Sequence, residues 1–265
     1  MTTIDTGAAA SQAETGPEPA LRASNLSVTY PDGAGGFKAL QSVTFNLYPQ
    51  QFVCLIGPSG SGKTTLLRVL AGVLPPTSGE VLVSTSAPDR LPCISLVFQD
   101  ANLMPWRTVL QNILLPLDLA KVPKMEAEAR ARELVEQVGL KGFENAWPRD
   151  LSGGMAQRVA IARALIQDPD FLLLDEPFGA LDALTRERMG TELLALWQAQ
   201  RQTVFMVTHS IAEALLLSDR VLVLTPRPGR IGLDLPVDLP RPRREEIRYT
   251  PEFGALAGQL KEAIH

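Results

Sequence analysis

The run Gly57-Pro58-Ser59-Gly60-Ser61-Gly62-Lys63-Thr64-Thr65 fits the pattern G-x-x-x-x-G-K-[ST]. Glycines let successive backbone N–H groups point at one anion, and a helix that starts there adds the positive end of its dipole. Lys63 would contact the outer phosphates as a compact charge, and the Thr64 hydroxyl would be a ligand for Mg²⁺. The run therefore predicts a site for a nucleotide.

The segments on either side of this loop support that interpretation. The apolar run 52–56 predicts a buried strand of a parallel sheet, and residues 65–71 have helical character with Gly72 just past the helix end. Strand, glycine loop and helix thus follow in the required order. The alternative, a glycine-rich turn with an incidental lysine, does not require that order.

The rest of the chain alternates apolar runs with helical patterns. Strands are predicted at 26–30, 43–47, 80–83, 94–98, 171–174, 203–208 and 221–224. Residues 100 to about 165 have mostly helical patterns, most clearly at 124–138. Strands that alternate with helices imply an α/β protein with a parallel sheet, into which this helical region is inserted.

Composition limits the function classes. The chain has 265 residues, is 45% hydrophobic and carries a net charge of −4, which disfavours a nucleic-acid binder. Cys54 and Cys93 are far apart and are predicted to be small apolar residues in a reducing compartment. No apolar run is long enough to span a membrane, and residues 1–19 lack the features of a signal peptide and are predicted to be a disordered tail.

Two acids follow the apolar run 172–174. Asp175, at the end of a strand beside a phosphate loop, can hold Mg²⁺, and Glu176 can orient or deprotonate an attacking water. The alternative is an acidic turn that ends the strand.

A second anion site is predicted at Ser152-Gly153-Gly154, at the start of a helix. Two phosphate sites in one chain suggest either two ligands or one ligand shared across a dimer. The alternative for Ser152-Gly153-Gly154 is a helix cap with a flexible hinge that binds no anion.

In this order the motifs resemble those of the nucleotide-binding subunit of ABC transporters, from about residue 21 to 231. Residues 57–65 match the Walker A motif, 172–176 the Walker B motif and 152–154 the signature motif. Gln99 matches the Q-loop, residues 179–182 with Asp182 the D-loop, and His209 the switch histidine. Tyr30 matches the aromatic residue that stacks on adenine.

The resemblance implies a P-loop NTPase (RecA-like) core with a mainly parallel sheet, an N-terminal antiparallel β subdomain and an inserted helical subdomain. The ATPase domain would cover residues 20–235, with a helical subdomain at about 100–165, and residues 236–265 would be a C-terminal tail. Arg241, Arg243 and Arg244 in that tail are predicted to be a solvated surface, because acids follow them.

The resemblance also implies roles for single residues. Glu176 is expected to be the general base, with His209, Lys63 and Gln99 completing the catalytic set. Mg²⁺ is expected on Thr64, Gln99 and Asp175. Two copies would face head to tail, so that each ATP contacts Lys63 and Thr64 of one copy and Ser152 of the other, with Asp182 coupling the two sites.

Other roles for some of these residues stay open on sequence alone. His209 could be a core histidine, Tyr30 a packing residue and Gln99 a surface amide. The signature motif departs from the usual L-S-G-G-Q, since Met155 stands at its fifth position. The expected phosphate donors are Ser152 and backbone N–H groups, so function is expected to survive this change.

Three passages, 102–109, 208–214 and 225–231, resemble the nitrate/sulfonate/taurine branch of importers. The resemblance implies integral membrane permease subunits, a solute-binding protein that acts through them, and a peripheral position on the cytoplasmic face of the inner membrane. The cluster Met104-Pro105-Trp106-Arg107-Thr108 would accept a short coupling helix of the permease, or would belong to the core. Two other functions stay open: a soluble ABC ATPase acting on DNA or ribosomes, and a P-loop kinase.

Overall fold

A computed structural model describes residues 18–31, 36–84 and 90–264. The predicted N-terminal tail lies outside these ranges, apart from residues 18 and 19. The strands are β1 (Leu21–Tyr30), β2 (Phe37–Leu47), β3 (Phe52–Ile56), β4 (Ser78–Val83), β5 (Ile94–Val97), β6 (Phe171–Asp175), β7 (Thr203–Val207), β8 (Arg220–Leu224) and β9 (Ile231–Pro236). The helices are α1 (Lys63–Leu70), α2 (Val109–Leu119), α3 (Lys124–Gln137), α4 (Gly153–Leu165), α5 (Ala183–Gln200), α6 (Ile211–Leu217) and α7 (Pro251–Ile264).

The central element is a six-stranded sheet in the order β5-β6-β7-β3-β8-β9. Its first five strands are parallel, and β9 runs antiparallel to β8. All residues of β3, β6 and β7 are buried, because helices or a second sheet cover both faces, and such strands need continuous apolar runs. The predicted α/β fold with a mainly parallel sheet is confirmed.

The second sheet is antiparallel, in the order β2-β1-β4, and it covers one face of the first together with α1. Its buried residues alternate along β1, as expected for a sheet with one solvated face. Phe45 of β2 stacks on Phe205 of β7 with ring centroids 5.5 Å apart. Cys54 and its alternate neighbours on β3 face the other core, which is built with α4, α5 and α6.

The predicted helical insertion is confirmed between β5 and β6, where α2, α3 and α4 lie. Ala127, Ala131 and Leu134 form the buried face of α3, and Ile113 of α2 belongs to the same core. A division of the chain at residues 100, 165 and 235 stays a prediction. Both cysteines are free, Cys54 buried and Cys93 half-buried.

The interpretation of the C-terminal arginines as a solvated surface is wrong for two of them. Arg241 bonds to Asp219 and donates to the Leu217 carbonyl. Arg243 is 4% exposed and donates to four carbonyls, those of Leu215, Ser218, Val237 and Leu239. Burial lowers the pKa of Arg243 to about 10. The carbonyls of Leu215, Leu217 and Ser218 lie at the C-terminal end of α6, where the helix dipole attracts a cation, and this explains why arginines are buried there.

Candidate nucleotide-binding site

A cavity of about 460 Å³ opens where the glycine loop follows β3. Its lining comes from that loop, from the start of α1, from β2 and from residues that follow β6, β7 and β8: Phe37, Ala39, Gly57, Ser59, Gly60, Gly62, Lys63, Thr64, Thr65, Glu176, His209 and Arg227. The segments after β3, β6, β7 and β8 meet here because the carboxyl ends of parallel strands share one edge of a sheet. Sequence positions up to 190 residues apart therefore line one cavity.

Glycine is required at two positions of the loop. Gly62 has φ +102°, and a Cβ there would lie 2.9 Å from the Ala39 carbonyl oxygen. A Cβ on Gly57 would lie 2.5 Å from the Leu224 carbonyl oxygen. The loop is thus fixed by backbone of β2 and β8, and larger residues would push it off the sheet edge.

Lys63, the first residue of α1, is buried inside the loop. Its Nζ donates to the carbonyl oxygens of Gly57 and Pro58, each at 3.0 Å. Burial lowers the pKa of Lys63, and the carboxylates of Glu176 and Asp175 oppose that shift. The lysine is therefore held at the centre of the loop, close to two carboxylates.

Thr64 and Asp175 form an oxygen pair beside the loop. The Thr64 hydroxyl donates to Asp175 Oδ1 over 3.2 Å. Asp175 is 7% exposed, and burial raises its pKa. One hydroxyl and one carboxylate, with phosphate oxygens as further ligands, fit Mg²⁺, which is commonly held by one or two side chains and the substrate. Within the described ranges no group of three or more His, Cys, Asp or Glu side chains forms a metal cage.

Glu176 and His209 are hydrogen-bonded at the rim of the cavity. His209 Nδ1 lies 3.0 Å from Glu176 Oε2, and the Glu176 N–H donates to the Val207 carbonyl of β7. Glu176 has φ +44°, an uncommon value for a non-glycine residue. A Cβ placed on Gly179 would lie 3.5 Å from both Gln99 Nε2 and Glu176 Oε2, so Gln99 reaches the same corner.

Ser152, Gly153, Gly154 and Asp182 do not line this cavity. Ser152 caps α4 and accepts from the Met155 N–H, and Asp182 caps α5 and accepts from the Thr185 N–H. A Cβ on Gly154 would lie 2.9 Å from Thr185 Cγ2, so the two caps are packed side by side. Ser152, Gly153 and Asp182 are exposed, and together they form a second polar surface.

Met155 is half-buried and packs against the core that α4 helps to form. The usual glutamine of the signature motif is thus replaced by a side chain with an apolar packing role. The serine cap and the backbone N–H groups beside it do not depend on that side chain.

Sequence reasoning missed Phe37 and Arg227. Phe37 lines the cavity, whereas Tyr30 bonds through its hydroxyl to Thr65 Oγ1 over 3.3 Å and is not among the lining residues. The Arg227 guanidinium lies 3.9 Å from the centroid of the Phe37 ring and donates to the Gly60 carbonyl. The signal that could have indicated this contact is the arginine in the Pro-Arg-Pro-Gly turn after β8, the strand next to β3.

Comparison with known proteins agrees with this geometry. The family described as ABC transporter matches residues 40–179. A dimeric ATP-binding cassette in a post-hydrolysis state, bound to ADP and Pi, superposes with a TM-score of 0.72 at 34% identity, covering 83% of this chain and 99% of that one.

Curated relatives cover nearly the whole chain. An uncharacterized ABC transporter ATP-binding protein of Methanocaldococcus jannaschii is 50% identical over 92% of each chain. An aliphatic sulfonates import ATP-binding protein of Streptomyces avermitilis is 49% identical over 85% of this chain and 84% of its own. A taurine import ATP-binding protein of Rhizobium johnstonii is 44% identical over 86% and 89%.

The loop, the paired acids and the sheet define a P-loop ATPase. The chain belongs to the ABC transporter family, as one of its ATPases. In residues 18–31, 36–84 and 90–264, no helix is long and apolar enough to cross a membrane.

Proposed function

We propose that this chain binds and hydrolyses ATP in the cavity between the glycine loop, Glu176 and His209, and that hydrolysis drives the import of a small solute. The observation that carries the proposal is the convergence of Lys63, Thr64 and the Glu176–His209 pair on one cavity, with Asp175 hydrogen-bonded to Thr64. The family and the import names of the relatives support it.

Phosphoryl transfer needs chiefly positioning and neutralisation of charge. Lys63 and the N–H groups of the loop hold the β- and γ-phosphates, and Thr64 with Asp175 and Gln99 would hold Mg²⁺. The metal, when bound, neutralises charge that develops on the phosphate oxygens. Glu176 takes the proton of the attacking water, and His209, oriented by its bond to Glu176, contacts the γ-phosphate.

One copy of the chain supplies only part of the site. The exposed signature cap, with Ser152 and its neighbouring N–H groups, is built to bind an anion but lies outside the chain's own cavity. A second copy facing head to tail would bring that cap to the γ-phosphate, and Asp182 would lie at the shared seam. Two ATP molecules would then close the dimer.

The transport partners follow from the same family. Permease subunits would dock a coupling helix beside Gln99, where Trp106 is 69% exposed at the start of the helical insertion. The chain would then lie at the cytoplasmic face of the membrane, with a solute-binding protein acting through the permease. We infer a small solute such as a sulfonate, taurine or nitrate, by analogy with the names of the relatives.

The direct test is Glu176→Gln in the full chain. Removal of a general base slows the chemical step by about 10²–10⁴-fold. We therefore expect the variant to lose hydrolysis by that order, to bind ATP, and to dimerise with ATP in light scattering. Glu187→Gln, a control outside the cavity, should hydrolyse ATP normally. Normal hydrolysis by Glu176→Gln would show that the base is another residue, and a monomer with ATP would exclude the shared site.

The import role has its own test. The tagged chain is recovered from detergent-solubilised native membranes, and the proteins that accompany it are identified by mass spectrometry. A multi-span permease supports import, and a co-purified solute-binding protein can be screened with sulfonates, taurine and nitrate. Recovery of ribosomes or DNA alone would contradict the import role, while the proposal that the chain hydrolyses ATP would stand.

A further inference from the structure

Glu213 is a buried carboxylate beside the site, and the mechanism above gives it no role. It lies in the first turn of α6, four residues after His209, and is 8% exposed. Burial raises its pKa, while the hydrogen bond from Thr208 and the charges of Arg186, His209 and Arg248 lower it. A carboxylate in such a place needs partners that offset the loss of water.

Those partners flank His209 on both sides. The Thr208 hydroxyl donates to Glu213 Oε2 over 2.5 Å and accepts from the Ser210 N–H over 3.0 Å. The Glu213 N–H in turn donates to the Ser210 hydroxyl over 3.2 Å. The residues before and after His209 are thus both bonded into one short network that ends on Glu213.

The other oxygen of Glu213 faces the segment that carries Asp182. Glu213 Oε1 lies 3.7 Å from Arg186 Nε, and Arg186 donates through Nη2 to the Leu181 carbonyl over 3.0 Å. Glu213 therefore lies between the backbone around His209 and the segment 179–182, in which Asp182 is exposed. Glu187, Glu245 and Arg248 line the same small cavity, where Arg248 pairs with both of those glutamates.

We propose that Glu213 is a positioning residue for His209: its carboxylate fixes the Thr208 hydroxyl, which in turn binds the Ser210 N–H, and so it holds the backbone that aims the imidazole at Glu176 and at the reacting phosphate. The His209 side chain is 55% exposed, so its direction depends on this backbone more than on packing around the ring. The proposal rests on the proposed function, in which His209 contacts the γ-phosphate.

The chemistry of the side chain explains why a carboxylate suits this position. An ionised carboxylate only accepts hydrogen bonds, so the Thr208 hydroxyl must donate to it and has its lone pairs free for the Ser210 N–H. A bond to a charged acceptor is also stronger than one between neutral groups. A glutamine could keep the same polarity through its oxygen. Alanine would leave the Thr208 hydroxyl without its acceptor, while the backbone N–H of residue 213 would still be able to donate to Ser210.

The test compares Glu213→Ala and Glu213→Gln with Glu187→Gln in steady-state ATP hydrolysis by the full chain. A misplaced catalytic group can lower the rate by about 10²-fold. We therefore expect Glu213→Ala to lower kcat by roughly 10- to 100-fold with KM for ATP within about threefold. Glu213→Gln should recover most of that loss. Glu187→Gln, which changes the same cavity without touching Thr208, should behave as wild type.

A double-mutant cycle with His209→Ala separates positioning from general damage. If Glu213 acts through His209, Glu213→Ala causes no further loss of kcat once His209 is absent. Multiplicative losses, or a rise of KM equal to the fall of kcat, overturn the proposal.

Should Glu213→Ala not fold, Thr208→Val and Thr208→Ser answer the same question. Thr208→Val removes the hydroxyl at nearly constant shape and should lower kcat as much as Glu213→Ala is expected to. Thr208→Ser keeps the hydroxyl and should have a kcat close to that of the wild type. Equal rates for the two variants overturn the proposal. Failure of the proposed function would look different: the wild-type chain would not hydrolyse ATP, or His209→Ala would hydrolyse it normally.

Discussion

Arg227→Ala should weaken ATP binding, because Arg227 joins the phosphate loop to the wall of the cavity. Its guanidinium lies on Phe37 and donates to the Gly60 carbonyl. An exposed cation–π contact contributes about 0.5–1 kcal/mol, and Arg227 is exposed. A net hydrogen bond contributes about 0.5–1.5 kcal/mol. If both contacts preorganise the loop, the loss of about 1–2.5 kcal/mol weakens binding by roughly 5- to 70-fold.

The assay is isothermal titration calorimetry with ATP, in the Glu176→Gln background so that hydrolysis does not change the ligand. Arg230→Ala is the matched control, since it removes an exposed arginine three residues along in the same turn. Arg227→Lys keeps the charge but not the flat, forked donor group, so it should lie between the two alanine variants.

Two results would refute the reasoning. If Arg227→Ala and Arg230→Ala weaken binding equally, the effect is one of overall charge and the contacts with Phe37 and Gly60 are irrelevant. If Arg227→Ala binds ATP within about twofold of its parent, the loop is preorganised without this residue.

Three further results are expected. Gly62→Ala should abolish ATP binding in calorimetry, because the new Cβ would clash with the backbone of Ala39. The control is Gly72→Ala, at φ +69° with no atom within 4 Å of the new Cβ; it should lose only about 1–2 kcal/mol of stability and bind ATP normally. Arg243→Met should lower the free energy of unfolding by at least about 2 kcal/mol, because it leaves buried carbonyl groups without a donor. The loss should appear as a lower midpoint in urea unfolding, and an unchanged midpoint would contradict this. Burial in the folded state raises the pKa of Glu213. Ionisation of Glu213 therefore lowers the free energy of unfolding at pH values above its ordinary pKa of 4.5. Glu213→Gln should therefore melt above wild type at pH 8, and the difference should close toward pH 4 in scanning calorimetry.

The sequence predicts the elements that local pattern controls. The strand at 52–56 coincides with β3, and the helix predicted at 124–138 ends within one residue of α3. These predictions succeed because continuous apolar runs and helical periodicity are properties of neighbouring residues. The residues of the glycine loop other than Pro58 and Ser61 also line one cavity with Glu176 and His209, because the place of each in the sequence decides which strand it follows.

The sequence fails where the role of a residue depends on a distant partner. Arg243 follows prolines and precedes acids, a pattern typical of a solvated segment, yet the carbonyls that end α6 bind it. Phe37 and Arg227 are 190 residues apart, and their contact arises only because β2 and β8 both lie beside the loop. Glu213 reads as an ordinary helix residue until its contact with Thr208 is seen.

The position of β3 in the sheet has a consequence for how the protein is made. Its neighbours are β7 and β8, whose residues lie about 150 and about 170 positions further along the chain. During synthesis from the N-terminus, the strand that carries the glycine loop therefore emerges long before either neighbour exists. Strand β3 has no neighbouring strand to bond with until residues 203–224 have left the ribosome. The glycine loop therefore cannot be fixed against Leu224, nor bind ATP in its final shape, until most of the chain has been translated.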